Sequence, residues 1–198
     1  MNQGQFNAIN DEEILEIFEK TGVMKKGHFR LTSGRHSEKY LQCAQLLQYP
    51  QYTAIACEAL ARNFLGDEVE LVIGPATGAI VLSYEMARAL ETRSLFTERE
   101  GEKMALRRGF QIYPGEKVLV VEDVITTGGS VKEVIEIVKS QGGELVGVAC
   151  LVDRSGGKVD FGTRFESLTK FEIETYDPEN CPLCAQGIPI AKPGSRKL

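Results

Sequence analysis

Residues Val118–Ser130 read VLVVEDVITTGGS. The four apolar residues Val118 to Val121 predict a buried strand. Two acids follow at once, Glu122 and Asp123, then Val124 and Ile125. Next comes a small, hydroxyl-rich turn: Thr126, Thr127, Gly128, Gly129 and Ser130. Behind it Val131, Val134, Ile135 and Val138 recur at helical spacing. A strand, a glycine turn and a helix start, in that order, make an anion site. The first N–H groups of a helix lack internal partners, and the positive end of its dipole points the same way. Glycines let the backbone approach closely, and Thr and Ser add hydroxyl donors. A carboxylate repels phosphate, so Glu122 and Asp123 should face another part of the ligand. The vicinal hydroxyls of a ribose suit them. The ordinary alternative is a strand-to-helix turn with solvated acids and an N-capping Ser130. It accounts for each part alone, but not for acids, glycines and hydroxyls together.

Working outward, Leu71–Ile73 is a short buried strand ended by Gly74-Pro75, and Ala79–Leu90 is a helix. Leu145–Val152 is another buried strand, followed by Asp153-Arg154. The helix after Ser130 ends near Gly142-Gly143, a C-cap signal. Strands alternating with helices predict an α/β fold with a largely parallel central sheet. In such sheets ligands bind beyond the carboxyl ends of the strands. The segments at 74–80, 122–130 and 153–154 all follow a strand, which places them in one site. Towards the N-terminus, Asn10 and Glu13 read as a capping box opening a helix through about Lys20, with Ile14, Leu15 and Phe18 as its apolar stripe. Residues 22–42 read as a turn and short strands, and Tyr52–Leu65 as a helix. Residues 93–113 read as a strand, a mobile loop and a returning strand.

The 198 residues predict a single domain with a small subdomain. A hydrophobic share of 42% suffices for a full core. The net charge of −5 gives no general reason to expect nucleic acid or membrane binding. No apolar run approaches the ~18 residues of a membrane span. The polar, acidic start MNQGQFNAINDEE is unlike a signal peptide, so a cytoplasmic protein is expected. The odd count of five cysteines argues against a disulfide framework. Cys181 and Cys184 form a C-x-x-C in NCPLCAQG that looks like half of a zinc knuckle. A structural site needs four ligands, and His28 and His36 lie far away in sequence. Three readings stay open: two thiols in a Pro-containing turn, a metal shared between two subunits, or a redox pair.

The stretch 118–130 resembles the phosphoribosyl-diphosphate (PRPP) binding motif of the type I phosphoribosyltransferases. It lacks the lysine of a P-loop. FRLTSGRHSEKYLQ (Phe29–Gln42), GPATGAI (Gly74–Ile80), VDRSGG (Val152–Gly157) and PGSR (Pro193–Arg196) look like the orotate-specific branch of that family, in the expected order. The resemblance implies transfer of the phosphoribosyl group from PRPP to orotate, giving orotidine 5′-monophosphate and pyrophosphate. It implies PRPP contacts from Lys25, Arg99, Lys103, Glu122, Asp123, Val124, Ile125, Thr126, Thr127, Gly128, Gly129 and Ser130, with Lys26 an equally available alternative to Lys25. It implies catalysis by Lys103 and Asp123, and orotate contacts from Thr126 and Arg154. Arginine's planar fork suits a carboxylate such as orotate's; the ordinary alternative is an ion pair with Asp153 or Asp160. Ser33-Gly34-Arg35 would help build the base pocket.

Mg²⁺ is implied, held mainly by PRPP and water, with no protein metal ligands. The charged stretch TEREGEKMALRRG (Thr97–Gly109) resembles the family's flexible lid. The ordinary alternative is a solvated hairpin. The family's lid reaches into a neighbouring subunit's site, which implies a homodimer. A hood is expected from about residues 1–45 together with the C-terminal segment. Two departures stand out. The lid has Arg-Glu-Gly-Glu-Lys in place of Lys-Glu-x-Lys-x-His, and Gly78 stands where many members have a lysine. Arg107 or Arg108 is the candidate replacement cation. The competing readings are a purine-type phosphoribosyltransferase and a PRPP-sensing regulator on the same fold.

Overall fold

The computed structural model describes residues 9–31, 33–171 and 174–192. The expected segment at Pro193–Arg196 and residue Thr32 lie outside them. Helix α1 (Asp11–Thr21) begins as the sequence predicts. The Asn10 side chain accepts from the Glu13 N–H, and the Glu13 side chain accepts from the Asn10 N–H, both at 2.9 Å. The apolar stripe differs by one position. Ile14, Ile17 and Phe18 are buried, whereas Leu15 is 40% exposed. The spacing i, i+3, i+4 faces inward, and a residue one step off it turns outward.

Strands β1 (Met24–Arg30) and β2 (His36–Leu41) pair antiparallel as a separate two-stranded sheet. Short helix α2 (Ala44–Leu47) leads into α3 (Pro50–Ala61), which a 3-10 turn extends to Phe64. Strand β3 (Leu71–Pro75) and helix α4 (Ala79–Ala89) follow. Strands β4 (Arg93–Glu100) and β5 (Lys103–Leu106) then form a hairpin. Strand β6 (Lys117–Ile125), helix α5 (Gly129–Ser140) and strand β7 (Glu144–Asp153) make the unit read first in the sequence. Strand β8 (Phe165–Lys170) and short helix α6 (Pro182–Ala185) complete the described elements.

The main sheet runs β5-β4-β3-β6-β7-β8, parallel except for β5. Strand β6 sits inside it, and alternation along the strand splits the core in two. Leu119 and Val121 face the cluster formed with Phe18, Leu60 and Leu82. Val118 and Val120 face Val131, Val134, Ile135 and Val138 of α5. Both faces are covered, so the strand reads as an unbroken apolar run, as buried parallel strands do. Each such side chain contributes roughly 1.5–3 kcal/mol on burial.

Three local features differ from expectation. Strand β6 continues through the acids to Ile125, because Glu122, Val124 and Ile125 stay in register with β7. Strand β8 had no clear signal in the sequence; FESLTK is half-buried at the sheet edge and mixes polar with apolar residues. The expected mobile loop is a hairpin that turns at Gly101 (φ 62°) and Glu102. The C-terminus of α5 does follow its signal. Gly143 donates to the Val138 carbonyl at 2.9 Å and Gly142 (φ 81°) to that of Lys139 at 3.0 Å, closing a Schellman motif.

Candidate functional site

The carboxyl ends of β6 and β7 carry the site. Beyond β6 the chain turns through Thr126 and Thr127 and enters α5 at Gly128, whose φ is 72°. A Cβ at Gly128 would also lie 2.9 Å from Phe161 and from Val159, so only glycine fits. Gly128 is the N-cap, no side chain caps the helix, and its first turn holds no acid. Ser130 is therefore not the cap; it sits within the first turn. The free N–H groups and the dipole make this end a ready anion site. Glu122 and Val124 to Val131 line one small open pocket there, which includes Ile125, Thr126, Thr127, Gly128, Gly129 and Ser130.

Asp123 is not among the pocket-lining residues. Its Oδ1 accepts from the Val124 N–H at 2.8 Å, and Glu122 Oε1 accepts from the Asp123 N–H at 3.0 Å. Burial, reinforced by the adjacent Asp123 carboxylate, pushes Glu122 well above the usual carboxylate range. A Cβ on Gly78 would stand 2.9 Å from Asp123 Oδ2. The turn after β3 thus packs against the acid pair, and the missing lysine side chain leaves room for Asp123.

Arg154 follows β7, and its N–H donates to the Ile125 carbonyl at 2.8 Å, tying the two strand ends together. Its side-chain Nε is buried and has no hydrogen-bond partner. Burial lowers its pKa, while the neighbouring Tyr40 and Cys43 act the other way. The ion pair with Asp153 or Asp160 does not form. Asp153 accepts from the Ser155 N–H and Asp160 from the Gly162 N–H. A buried donor without a partner is costly, and a ligand carboxylate would satisfy it.

Tyr40 is a site residue that the sequence reading passed over. It is half-buried, and burial raises its pKa, with Arg154 opposing and Asp123 reinforcing the shift. It also separates Lys25 from Lys26. Lys25 lies opposite Tyr40 across the hairpin, and Lys26 lies opposite Lys39. Directly opposed residues share a face, so Lys25 is on the Tyr40 side. Only the hairpin register carries that signal.

Other expected residues are engaged elsewhere. The Arg99 guanidinium grips Glu133 of α5 at 2.7 and 2.8 Å, and Glu133 also accepts from the Met104 N–H at 3.0 Å. Lys103 is exposed at the start of β5, opposite Glu100. Arg108 is held by Glu98 at 2.7 and 2.8 Å and lies over the Phe96 ring. Arg107 comes only within 4.0 Å of Glu100, so of the two it is the freer cation. Arg35 forks onto Thr175 and Asp177 of the C-terminal segment, which commits it to structure and not to a base pocket.

Comparisons with known proteins agree with this geometry. Residues 44–163 match the phosphoribosyl transferase domain family. An orotate phosphoribosyltransferase of Desulforamulus reducens is 65% identical over 96% of this chain and 100% of its own length. One from Caldanaerobacter subterraneus subsp. tengcongensis is 61% identical over 94% of this chain and 98% of its own. The crystal structure of orotate phosphoribosyltransferase from Aeropyrum pernix aligns with a TM-score of 0.70 at 27% identity, covering 80% of this chain and 93% of that one. An adenine phosphoribosyltransferase from Rhodothermus marinus aligns with a TM-score of 0.65 at 19% identity, over 81% of this chain and 100% of that one. That last likeness is one of fold alone, so the fold does not choose the base, and the near-full-length sequence matches disfavour the purine-type and regulator readings. With an anion cradle, an acid pair and an unpaired arginine at adjoining strand ends, this chain belongs to the phosphoribosyltransferase family, among the orotate phosphoribosyltransferases.

Proposed function

We propose that this chain transfers the 5-phosphoribosyl group of PRPP to orotate, forming orotidine 5′-monophosphate and pyrophosphate. Three observations carry the reading together: the buried, unpartnered Nε of Arg154 at the strand end joined to that of β6, the Glu122–Asp123 pair on β6, and the uncapped start of α5. Each of the three suits one part of the substrates. The α5 N–H groups, with Thr126, Thr127 and Ser130, take the 5-phosphate, and Val124 to Gly129 shape the cradle around it. Glu122 and Asp123 accept the ribose hydroxyls. Arg154 takes the orotate carboxylate, and Thr126, at the start of the turn, touches both substrates. As the bond from the anomeric carbon to pyrophosphate lengthens, its electron pair leaves with the pyrophosphate, and Asp123 stabilises the positive charge on the ribose. The orotate N1 lone pair then forms the new bond, and the N1 proton passes to the departing pyrophosphate.

Lys103 and Arg99 neutralise the departing pyrophosphate, with Lys25 reaching the site from the hairpin. For Arg99 this requires exchanging Glu133 for phosphate. The β4–β5 hairpin serves as the lid, and β1–β2 with the C-terminal segment as the hood. Mg²⁺ belongs to the proposal: PRPP and water would hold it near Glu122 and Asp123, and it would supply charge neutralisation. The two acids suit that role but do not make an all-protein cage. We further propose a homodimer with Lys103 acting across the interface. In support, Val81 and Tyr84 on one face of α4 are 45% and 68% exposed. No helix of the described residues is long and apolar enough to cross a membrane. None of the five cysteines is in a disulfide, which fits the proposed cytoplasmic location.

The test is loss of orotate absorbance with PRPP and Mg²⁺, matched by pyrophosphate release. Turnover with stoichiometric pyrophosphate supports the reading. PRPP binding without orotate turnover would refute it.

A further inference from the structure

The C-x-x-C motif and the two histidines meet in space. Strands β1 and β2 carry His28 and His36 on one face of the hairpin, with ring centroids 4.9 Å apart. The C-terminal segment folds back onto that hairpin. His36 and Tyr176 exchange backbone hydrogen bonds at 2.9 and 2.8 Å, and Ala191 donates to the His28 carbonyl at 2.8 Å. This return places Cys181 and Cys184 against the histidines. The ligand atoms of all four residues lie within 4.8 Å of one another.

Four of the six separations lie near the edges of a tetrahedral metal site, within an overall span of 4.8 Å. Zinc bonds of about 2.0–2.1 Å to nitrogen and about 2.3 Å to sulfur give tetrahedral edges of about 3.4 Å between nitrogens and about 3.6 Å between nitrogen and sulfur. His28 Nε2 and His36 Nδ1 are 3.1 Å apart. Cys181 Sγ and Cys184 Sγ lie 3.6 and 3.8 Å from His28 Nε2, and Cys184 Sγ lies 3.3 Å from His36 Nδ1.

The second ring nitrogen of His28 adds an independent constraint. His28 Nδ1 is 2.7 Å from the Ile188 carbonyl. A carbonyl only accepts, so Nδ1 carries the proton and Nε2 turns its lone pair into the cluster. Metal-binding histidines are oriented by such an outer hydrogen bond. A hydrogen-bonded histidine pair would use one ring contact and leave the convergence of two thiols without a cause.

We propose that His28, His36, Cys181 and Cys184 form a structural zinc site within one chain. Two imidazoles and two thiolates fill all four positions, so the site is closed and its role is to hold the fold. The soft thiolates select zinc over the Mg²⁺ of the substrate site. The segment it secures has little core of its own. Of residues 174–192 only Cys181 is buried, and α6 spans four residues. A metal staple supplies what burial does not. It clamps that segment to the hairpin bearing Lys25 and Tyr40, and the inference does not depend on which base the enzyme uses.

The experiment is metal analysis of the full-length protein, purified without added metal and dialysed free of Mg²⁺, with X-ray absorption at the zinc edge. About one zinc per chain is expected, with two sulfur ligands at about 2.3 Å and two nitrogen ligands at about 2.0 Å. Cys184 is exposed, so Cys184→Ser leaves the sheet core intact and should lose most of the zinc, with the segment at 174–192 loosened. Cobalt in place of zinc should give tetrahedral bands with sulfur charge transfer in the wild type and lose them in Cys184→Ser. A Cys181–Cys184 disulfide in freshly purified protein would overturn the proposal. So would zinc far below one per chain with no cobalt spectrum, or zinc content unchanged in Cys184→Ser.

Discussion

The anion cradle and the histidine–cysteine cluster are built in opposite ways. The cradle is one continuous stretch: β6, a glycine turn and the first turn of α5. The cluster joins residues 148 and 153 positions apart in sequence. In the cradle each residue's role follows from its immediate neighbours, so the pattern is visible in the chain. In the cluster, histidines from a hairpin meet a C-x-x-C that looked like half a site. Between the extremes lies Arg154, whose segment is recognisable but whose unpaired state depends on what Asp153 and Asp160 do. Local geometry announces a phosphate site, whereas a site assembled at long range shows only fragments of itself.

If the cradle binds PRPP by itself and the other groups are brought to it, variants outside it should alter turnover or base selection and spare PRPP affinity. Lys103→Ala is expected to have the largest effect. Turnover should fall about 10³-fold with PRPP binding changed far less, the pattern of a group acting on developing charge. Near-wild-type kcat would remove Lys103 from the mechanism. Arg154→Ala should lower kcat/KM for orotate by about 10²-fold, the loss of a charge-assisted contact of roughly 1.5–3 kcal/mol. Calorimetry should show its PRPP affinity unchanged, and an equal loss for both substrates would break the division of labour.

Gly128→Ala probes the cradle itself. The positive φ and the contacts with Phe161 and Val159 should cost about 1–3 kcal/mol of stability and weaken PRPP binding. Denaturant unfolding measures the first effect and direct titration the second. Its zinc content should equal the wild type's, which separates the two regions.

Glu122 predicts a pH dependence. Burial raises its folded pKa above its ordinary value of 4.5, so the folded state holds the proton more tightly. The stability it contributes is complete below that ordinary value and is lost as pH rises through the raised folded value. Unfolding measured from pH 5 upward should show this decline in the wild type and a flatter profile in Glu122→Gln. Parallel profiles would rule out Glu122 as the source. The smallest effect is expected for Glu133→Gln. Its exposed pair with Arg99 is worth under about 1 kcal/mol, so stability should hardly move while pyrophosphate inhibits more strongly. Unchanged inhibition would mean that Arg99 does not compete between Glu133 and phosphate.

Much of the fold was readable because short-range rules dominate it. Asn10 and Glu13 cap α1, and Gly142 and Gly143 close α5, because caps involve residues a few positions apart. The apolar runs of β3, β6 and β7 mark strands buried on both faces. Leu15 departs from its expected place in the apolar stripe because adjacent apolar residues on a helix do not tell which one faces the core. Strand β8 leaves no clear trace in the sequence because an edge strand with polar residues lacks a clean period. Arg35 and Arg99 carry the same charge in the sequence whether they meet Asp177 and Glu133 or a ligand.

The sequence by itself determined the α/β layering, the cradle at Thr126 to Ser130, the acids beside it and the family. All of these rest on neighbours along the chain. Tertiary structure alone decided that Lys25 and not Lys26 shares the Tyr40 face, that Arg154 Nε is left unpaired, that Gly78 makes room for Asp123, and that His28 and His36 meet Cys181 and Cys184. The physical reason is range. Backbone hydrogen bonds and apolar periodicity act over a few residues and leave a local trace. Charge pairing and metal-ligand geometry depend on distances in space that the order of residues does not encode locally.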